Sequence, residues 1–112
     1  VSQTSPQAIL TIGVPFRSPL SEQVSHLSGK IINENPDGSE AGIWQCTPGI
    51  WERWIMDAEI SSFVKGHALF HPEVGEPIDI KAVDTVYFDN NSKGKWEVLE
   101  TVRKAYLTYK RD

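Results

Sequence analysis

The strongest constraint on how this chain folds is its punctuation. From Gly29 onward it breaks into short segments rich in β-branched and aromatic residues, each closed by a turn signal. "KIIN" precedes "ENPDGS", where Pro36, Asp37 and Gly38 supply turn chemistry. "AGIWQCT" runs to Pro48-Gly49, "IWERWIM" to Asp57, "ISSFV" to Lys65-Gly66 and "HALF" to His71-Pro72. "PIDIKAV", "DTVYFD", "KWEVLE" and "RKAYLTY" complete the set. Segments spaced about 8–12 residues apart indicate an all-β sandwich or barrel. No window of about 11 or more residues holds a helical period without a Gly or Pro break. The expected architecture is a closed or nearly closed antiparallel β-barrel, because closure removes the exposed strand edges of a small β protein. Residues 1–28, with "AILTIGV" and "PFRSPL" separated by Pro and Ser, read as an N-terminal arm carrying one edge strand, and residues 29–112 as the barrel.

A chain of 112 residues suits one domain with one hydrophobic core. A net charge of −4 argues against nucleic acid as a partner, since phosphate backbones demand a basic patch. The nearest candidate patch, "VRKAYLTYKRD" with Arg103, Lys104, Lys110 and Arg111, alternates with apolar residues and reads as a strand with a solvated face. A single cysteine, Cys46, allows no intrachain disulfide, so the expectation is a cytoplasmic protein. No apolar run approaches the ~18–20 residues of a membrane span, and no signal segment is expected.

Strand alternation sorts the polar residues into faces. In "IWERWIM", Trp51, Arg53 and Ile55 share one face, and Glu52, Trp54 and Met56 share the other. Two readings stand at this point. In one, Glu52 and Trp54 point into the barrel, where a carboxylate must be paired, wet or protonated. In the other, Trp51 faces inward and Glu52 is solvated, or Glu52 pairs with a lysine or arginine. In "DTVYFD", Thr85, Tyr87 and Asp89 share a face opposite Val86 and Phe88. His67 and His71 lie in a strand, where four residues span ~13 Å and cannot share one ion. Cys46 reads as a packed small hydrophobe and not as a nucleophile.

"AGIWQCTPG", the spacing from Glu59 to Gly66, and "GKWEVLETVRKAY" together resemble the small single-domain cupins of the EutQ-like kind. The resemblance covers roughly residues 30 to 109. It implies a jelly-roll β-barrel and a barrel-facing carboxylate at Glu59. The family's metal motif, anchored on Glu59 and Gly66, places its first two histidine slots at Glu52 and Trp54, and the counterpart of the second motif places the third at Gly94. All three slots lack histidine, so no metal and no other cofactor is expected. Trp54 in particular carries only an indole donor.

These readings converge on a barrel that holds a small polar metabolite without a histidine-ligated metal. Its expected interior wall is Glu52, Trp54, Glu59, Tyr87 and Trp96. Two alternatives stand beside this reading, the first of them implied by the resemblance. One is an isomerase-, epimerase- or hydrolase-type enzyme with a EutQ-like metabolic role. The other is a structural or interaction module. The partners expected are a small-molecule ligand and a second copy of the chain in a homodimer, with neither nucleic acid nor membrane.

Overall fold

A computed structural model of the chain describes residues 14–15 and 20–111. Eight strands succeed one another: β1 (Val14–Pro15), β2 (His26–Glu34), β3 (Glu40–Cys46), β4 (Gly49–Ile55), β5 (Ala58–Pro72), β6 (Ile78–Lys81), β7 (Thr85–Phe88) and β8 (Ser92–Tyr109). All are paired antiparallel. The described residues form no helix, and so none long and apolar enough to cross a membrane. Of the edge strand expected over residues 8–14, all but Val14 lies outside the described residues. Val14 and Pro15 pair with Leu27 and His26 at the start of β2.

Two strands are longer than their sequence segments suggest. "ISSFV" and "HALF" form one strand, β5, and "KWEVLE" and "RKAYLTY" form one strand, β8. The turn signal at Lys65-Gly66 is a bend, not a break. Along the β5–β8 ladder the register slips three times between Phe63 and Ala68, and Gly66 sits at φ 96°. Extra residues taken up as bulges bend a strand while its ladder continues. A Cβ at Gly66 would collide with the carbonyl of Thr101 on the facing strand, so only glycine lets the two backbones approach here.

This bend folds the sheet into two layers. In the first, residues 58–65 of β5 and 102–109 of β8 lie between β7 on one side and β3, β2 and β1 on the other. In the second, residues 67–72 of β5 and 92–98 of β8 lie between β6 and β4. Among the described residues the ladder does not run round into a ring, so of the closed or nearly closed barrel expected the structure takes the unclosed form, a sheet folded over itself in jelly-roll fashion. Inward side chains of both layers meet in one core. Trp96 of the second layer packs on Phe63 and Phe88 of the first, and on Phe70 of its own, at centroid distances of 5.0–6.2 Å. Edge-on and tilted contacts of this kind favour aromatic pairs beyond the area they bury.

Replacing Gly66 with alanine forces a positive φ on a residue with a Cβ and drives that Cβ into Thr101. The expected loss is about 3 kcal/mol, read as a lower midpoint in urea denaturation, with Gly75→Ala, also at positive φ but meeting only an ordinary contact with Pro72 at 3.8 Å, as the milder comparison.

Candidate functional site

The site is built on β8. Alternation carries Val102, Lys104, Tyr106 and Thr108 to the inner face and Arg103, Ala105 and Leu107 to the outer one. Cross-strand partners separate the same way. Outside, Arg103 Nε donates to Gln45 Oε1 at 3.0 Å. Inside, Lys104 stands between Trp44 on β3 and Phe63 on β5, its register partners on either side.

Lys104 is buried, with 6% exposure. Its ammonium lies 4.7 Å from the centroid of Trp44 and 5.7–5.8 Å from those of Phe63, Phe88 and Trp96. It donates to Glu59 Oε2 at 2.5 Å, and the hydroxyl of Ser61 donates to the same oxygen. The pair obeys the rule that a buried charge must be matched and hydrogen-bonded. Burial alone would raise the Glu59 carboxyl, but the charge of Lys104 and the two hydrogen bonds outweigh it and hold Glu59 below the usual carboxylate range. Burial also pushes the Lys104 ammonium below its usual value, against the opposing pull of Glu59.

Around this pair lies a cavity of about 150 Å³ lined by Glu40, Trp44, Arg53, Ile55, Glu59, Trp96, Lys104, Tyr106 and Thr108. Tyr106 donates its phenol proton to Glu40 Oε2 at 2.7 Å. Burial, followed by the Glu40 hydrogen bond and charge, pushes that phenol well above its usual value, so it stays protonated. Gly42 makes the arrangement possible, because a Cβ there would press on the Tyr106 ring and hydroxyl. Arg53 reaches the cavity from β4 and also lines an open outer groove of about 810 Å³ with Glu52, Trp54, His71, Lys93 and Lys95. Among the described residues, its guanidinium makes no hydrogen bond or ion pair, although its charge is felt by both Glu59 and Lys104.

Of the five expected wall residues, the structure brings Glu59 and Trp96 into this cavity. The other three are corrected. Glu52 is exposed, Trp54 is half-exposed and Tyr87 is 46% exposed. Trp51, Arg53 and Ile55 take the inner face of β4, with Trp51 and Ile55 buried. The physical reason is the pairing of β4 with β8, which sets Trp51 opposite the buried Trp96 and Glu52 opposite the exposed Lys95, so Trp51 and Ile55 fall on the core side. Trp54 instead donates its indole N–H to Asn91 and lies under Lys93. On β7 the alternation is as expected but the faces are reversed. Phe88 is buried, while Tyr87 points outward and accepts a hydrogen bond from Arg111 at 2.7 Å. Lys104, read from sequence as part of a solvated face, is the central cation of the interior.

The residues do not fit the metal of the wider fold family. The inward positions before Glu59 are Arg53 and Ile55, and neither offers a lone pair to a cation. Gly94 has no side chain, and a Cβ there would meet the Phe70 ring. The bonded oxygen of Glu59 is already engaged by an ammonium. No group of three His, Cys, Asp or Glu side chains among the described residues is placed to hold an ion. His67 pairs with Asp79 and His71 with Glu97, each along the outer side of β5. Cys46 is buried, and burial pushes its thiol up, so it is held in its unreactive form.

A model of the EutQ-like cupin domain matches residues 33–106. Among solved structures, a DUF861-family protein from Pseudomonas syringae superposes with a TM-score of 0.80 at 22% identity, over 93% of this chain and 46% of the other. The EutQ protein of Clostridium difficile superposes at 0.68 with 16% identity, over 79% of this chain and 71% of the other. A EutQ-type ethanolamine utilization protein from Salmonella typhimurium gives 0.68 at 16% identity, over 97% of this chain and all of the other. The chain thus spans less than half the length of the Pseudomonas protein. At these identities the likeness establishes the fold. No curated protein matches in sequence.

Glu59→Gln leaves Lys104 buried without a counter-charge, so stability at neutral pH is expected to fall by about 3–5 kcal/mol. Glu59→Gln combined with Lys104→Met should recover most of it. The native carboxyl lies below its unfolded value, so its stabilisation is complete above the unfolded carboxylate pKa and is lost as pH falls through the lowered native one. Urea midpoints from pH 7 down to 3 should therefore drop more steeply for the native chain than for the double variant.

Proposed function

The chain belongs to the EutQ-like cupin family, and from that premise we propose that it binds a small polar metabolite inside the folded sheet, without a histidine-ligated metal. One observation carries this reading: a cavity of about 150 Å³ is lined both by the rings of Trp44 and Trp96 and by a set of ionised and hydroxyl groups. Ligand sites have this composition, with apolar surface for affinity and a few fixed polar groups for orientation. A cavity of about 150 Å³ takes a molecule of roughly benzene size. That limits the ligand to about six heavy atoms and excludes nucleotides and oligosaccharides from the interior.

The polar groups are held before any ligand arrives. Lys104 and Ser61 fix Glu59, Glu40 fixes Tyr106, and Trp44 is pinned beneath the ammonium. A wall already ordered adds little entropy cost on binding. Arg53 is the side chain common to the inner cavity and the outer groove.

Thermal-shift screening of short acids, amines and polyols tests the reading. A ligand at about 100 times its dissociation constant adds about 2.7 kcal/mol, a rise of roughly 10 °C in melting temperature. The rise should be saturable and should vanish in Thr108→Phe, which fills the cavity from β8 while leaving the ion pair intact. Absence of any such ligand across the three classes would reject the proposal.

A further inference from the structure

We infer that the metabolite is a short carboxylic acid whose carboxylate docks on Arg53, an assignment that rests on the binding role proposed above. The argument begins with what the cavity has already satisfied. Four aromatic rings within 4.7–5.8 Å of one point, beside a carboxylate, make a seat for a cation. In this chain the seat is filled by its own Lys104. Glu59, the carboxylate that would draw a positive ligand or a metal, is neutralised at 2.5 Å by that ammonium and bonded by Ser61 as well. A cationic ligand would have to displace a covalently attached competitor.

What remains unsatisfied has the opposite sign. Arg53 is on the inner face of β4 with Trp51 and Ile55 and forms part of the cavity wall. Lys104 has Glu59, Arg103 has Gln45, Arg111 has Asp89 and Lys110 has Asp57. Among the described residues, Arg53 has no such partner. Its planar fork binds a carboxylate through two parallel hydrogen bonds, a geometry lysine does not reproduce. The positions of Glu40 and Tyr106 add a second selection. Glu40 accepts one hydrogen bond through Oε2, and its other oxygen is left to accept from a hydroxyl on the ligand. Along the outer groove Lys93 and Lys95 are balanced by Glu52 and Glu73, so Arg53 is the cation that gives the groove its positive excess.

The test uses the full chain and titrations followed by thermal shift, at an ionic strength held constant with sodium chloride. The probes are lactate, propionate, inorganic phosphate, ethylamine and glycerol. Saturable stabilisation by lactate and propionate, lost with Thr108→Phe, is the expected result. In Arg53→Gln the apparent dissociation constant should rise about tenfold or more, since a charge-assisted pair is removed. Arg53 is exposed, so that variant is expected to keep the native melting temperature without ligand. Stabilisation by phosphate as strong as by lactate would overturn the carboxylate assignment in favour of a general anion site. Stabilisation by ethylamine or glycerol alone, cancelled by Thr108→Phe, would overturn the assignment and leave the metabolite-binding role standing. Silence from every probe would remove both.

Discussion

An ammonium ion in the middle of this molecule decides how the rest is arranged. Lys104 enters from the central strand of one layer and must find, within the reach of its side chain, a carboxylate and a polarisable lining. Glu59 supplies the first and the rings of Trp44, Phe63, Phe88 and Trp96 the second. Each of these comes from a different strand or a different part of one, so the single charge ties together β3, β5, β7 and both halves of β8. Removing an ion from water costs several kcal/mol unless geometry and hydrogen bonding compensate. Here that compensation is possible only when all of these strands are in register.

The same pair also gives the cavity its chemical character. A metal-binding cupin places a dication near the glutamate of β5. This chain places a monocation there, attached to the protein and unable to exchange. That carboxylate is therefore engaged within the protein, while Arg53, whose neighbours on β4 face the core, lines both the inner cavity and the outer groove.

Much of the fold is legible in the amino-acid order because its turn signals and alternation are local. Pro36-Asp37-Gly38, Pro48-Gly49 and the short apolar runs mark the strands well, and the family resemblance identifies Glu59 as an inward carboxylate. The choice of inward face on β4 is not local. "IWERWIM" has an indole on each side, so hydrophobicity alone does not decide between Trp51 and Trp54, and the register on the distant strand β8, which sets Trp51 opposite Trp96, does. Lys104 had a signal that was available. Adjacent residues of a strand point to opposite faces, so Arg103 and Lys104 cannot both be solvated, and Val102 and Tyr106 share the side of Lys104. The continuity of β5 through Lys65-Gly66 was hidden because a bulge and a turn use the same residue types.

β8, the eighth strand in chain order, pairs with β3, β4 and β5 together. A chain emerging from the ribosome in order can form β2 with β3 and can fold β6 and β7 onto β5, but β4 has no partner among these earlier strands. Folding of this topology is dominated by pairings distant in sequence, which form late and slowly. Until β8 arrives, Trp51 and Phe70 lie on half-built layers exposed to water and to other chains. Insertion of β8 is then both the closing of the sheet and the desolvation of Lys104. The last of these eight strands to be made thus brings in the charge that its surroundings are shaped to receive, and a chain halted before it would leave Trp44, Phe63 and Phe88 without their ammonium and Glu59 without its partner.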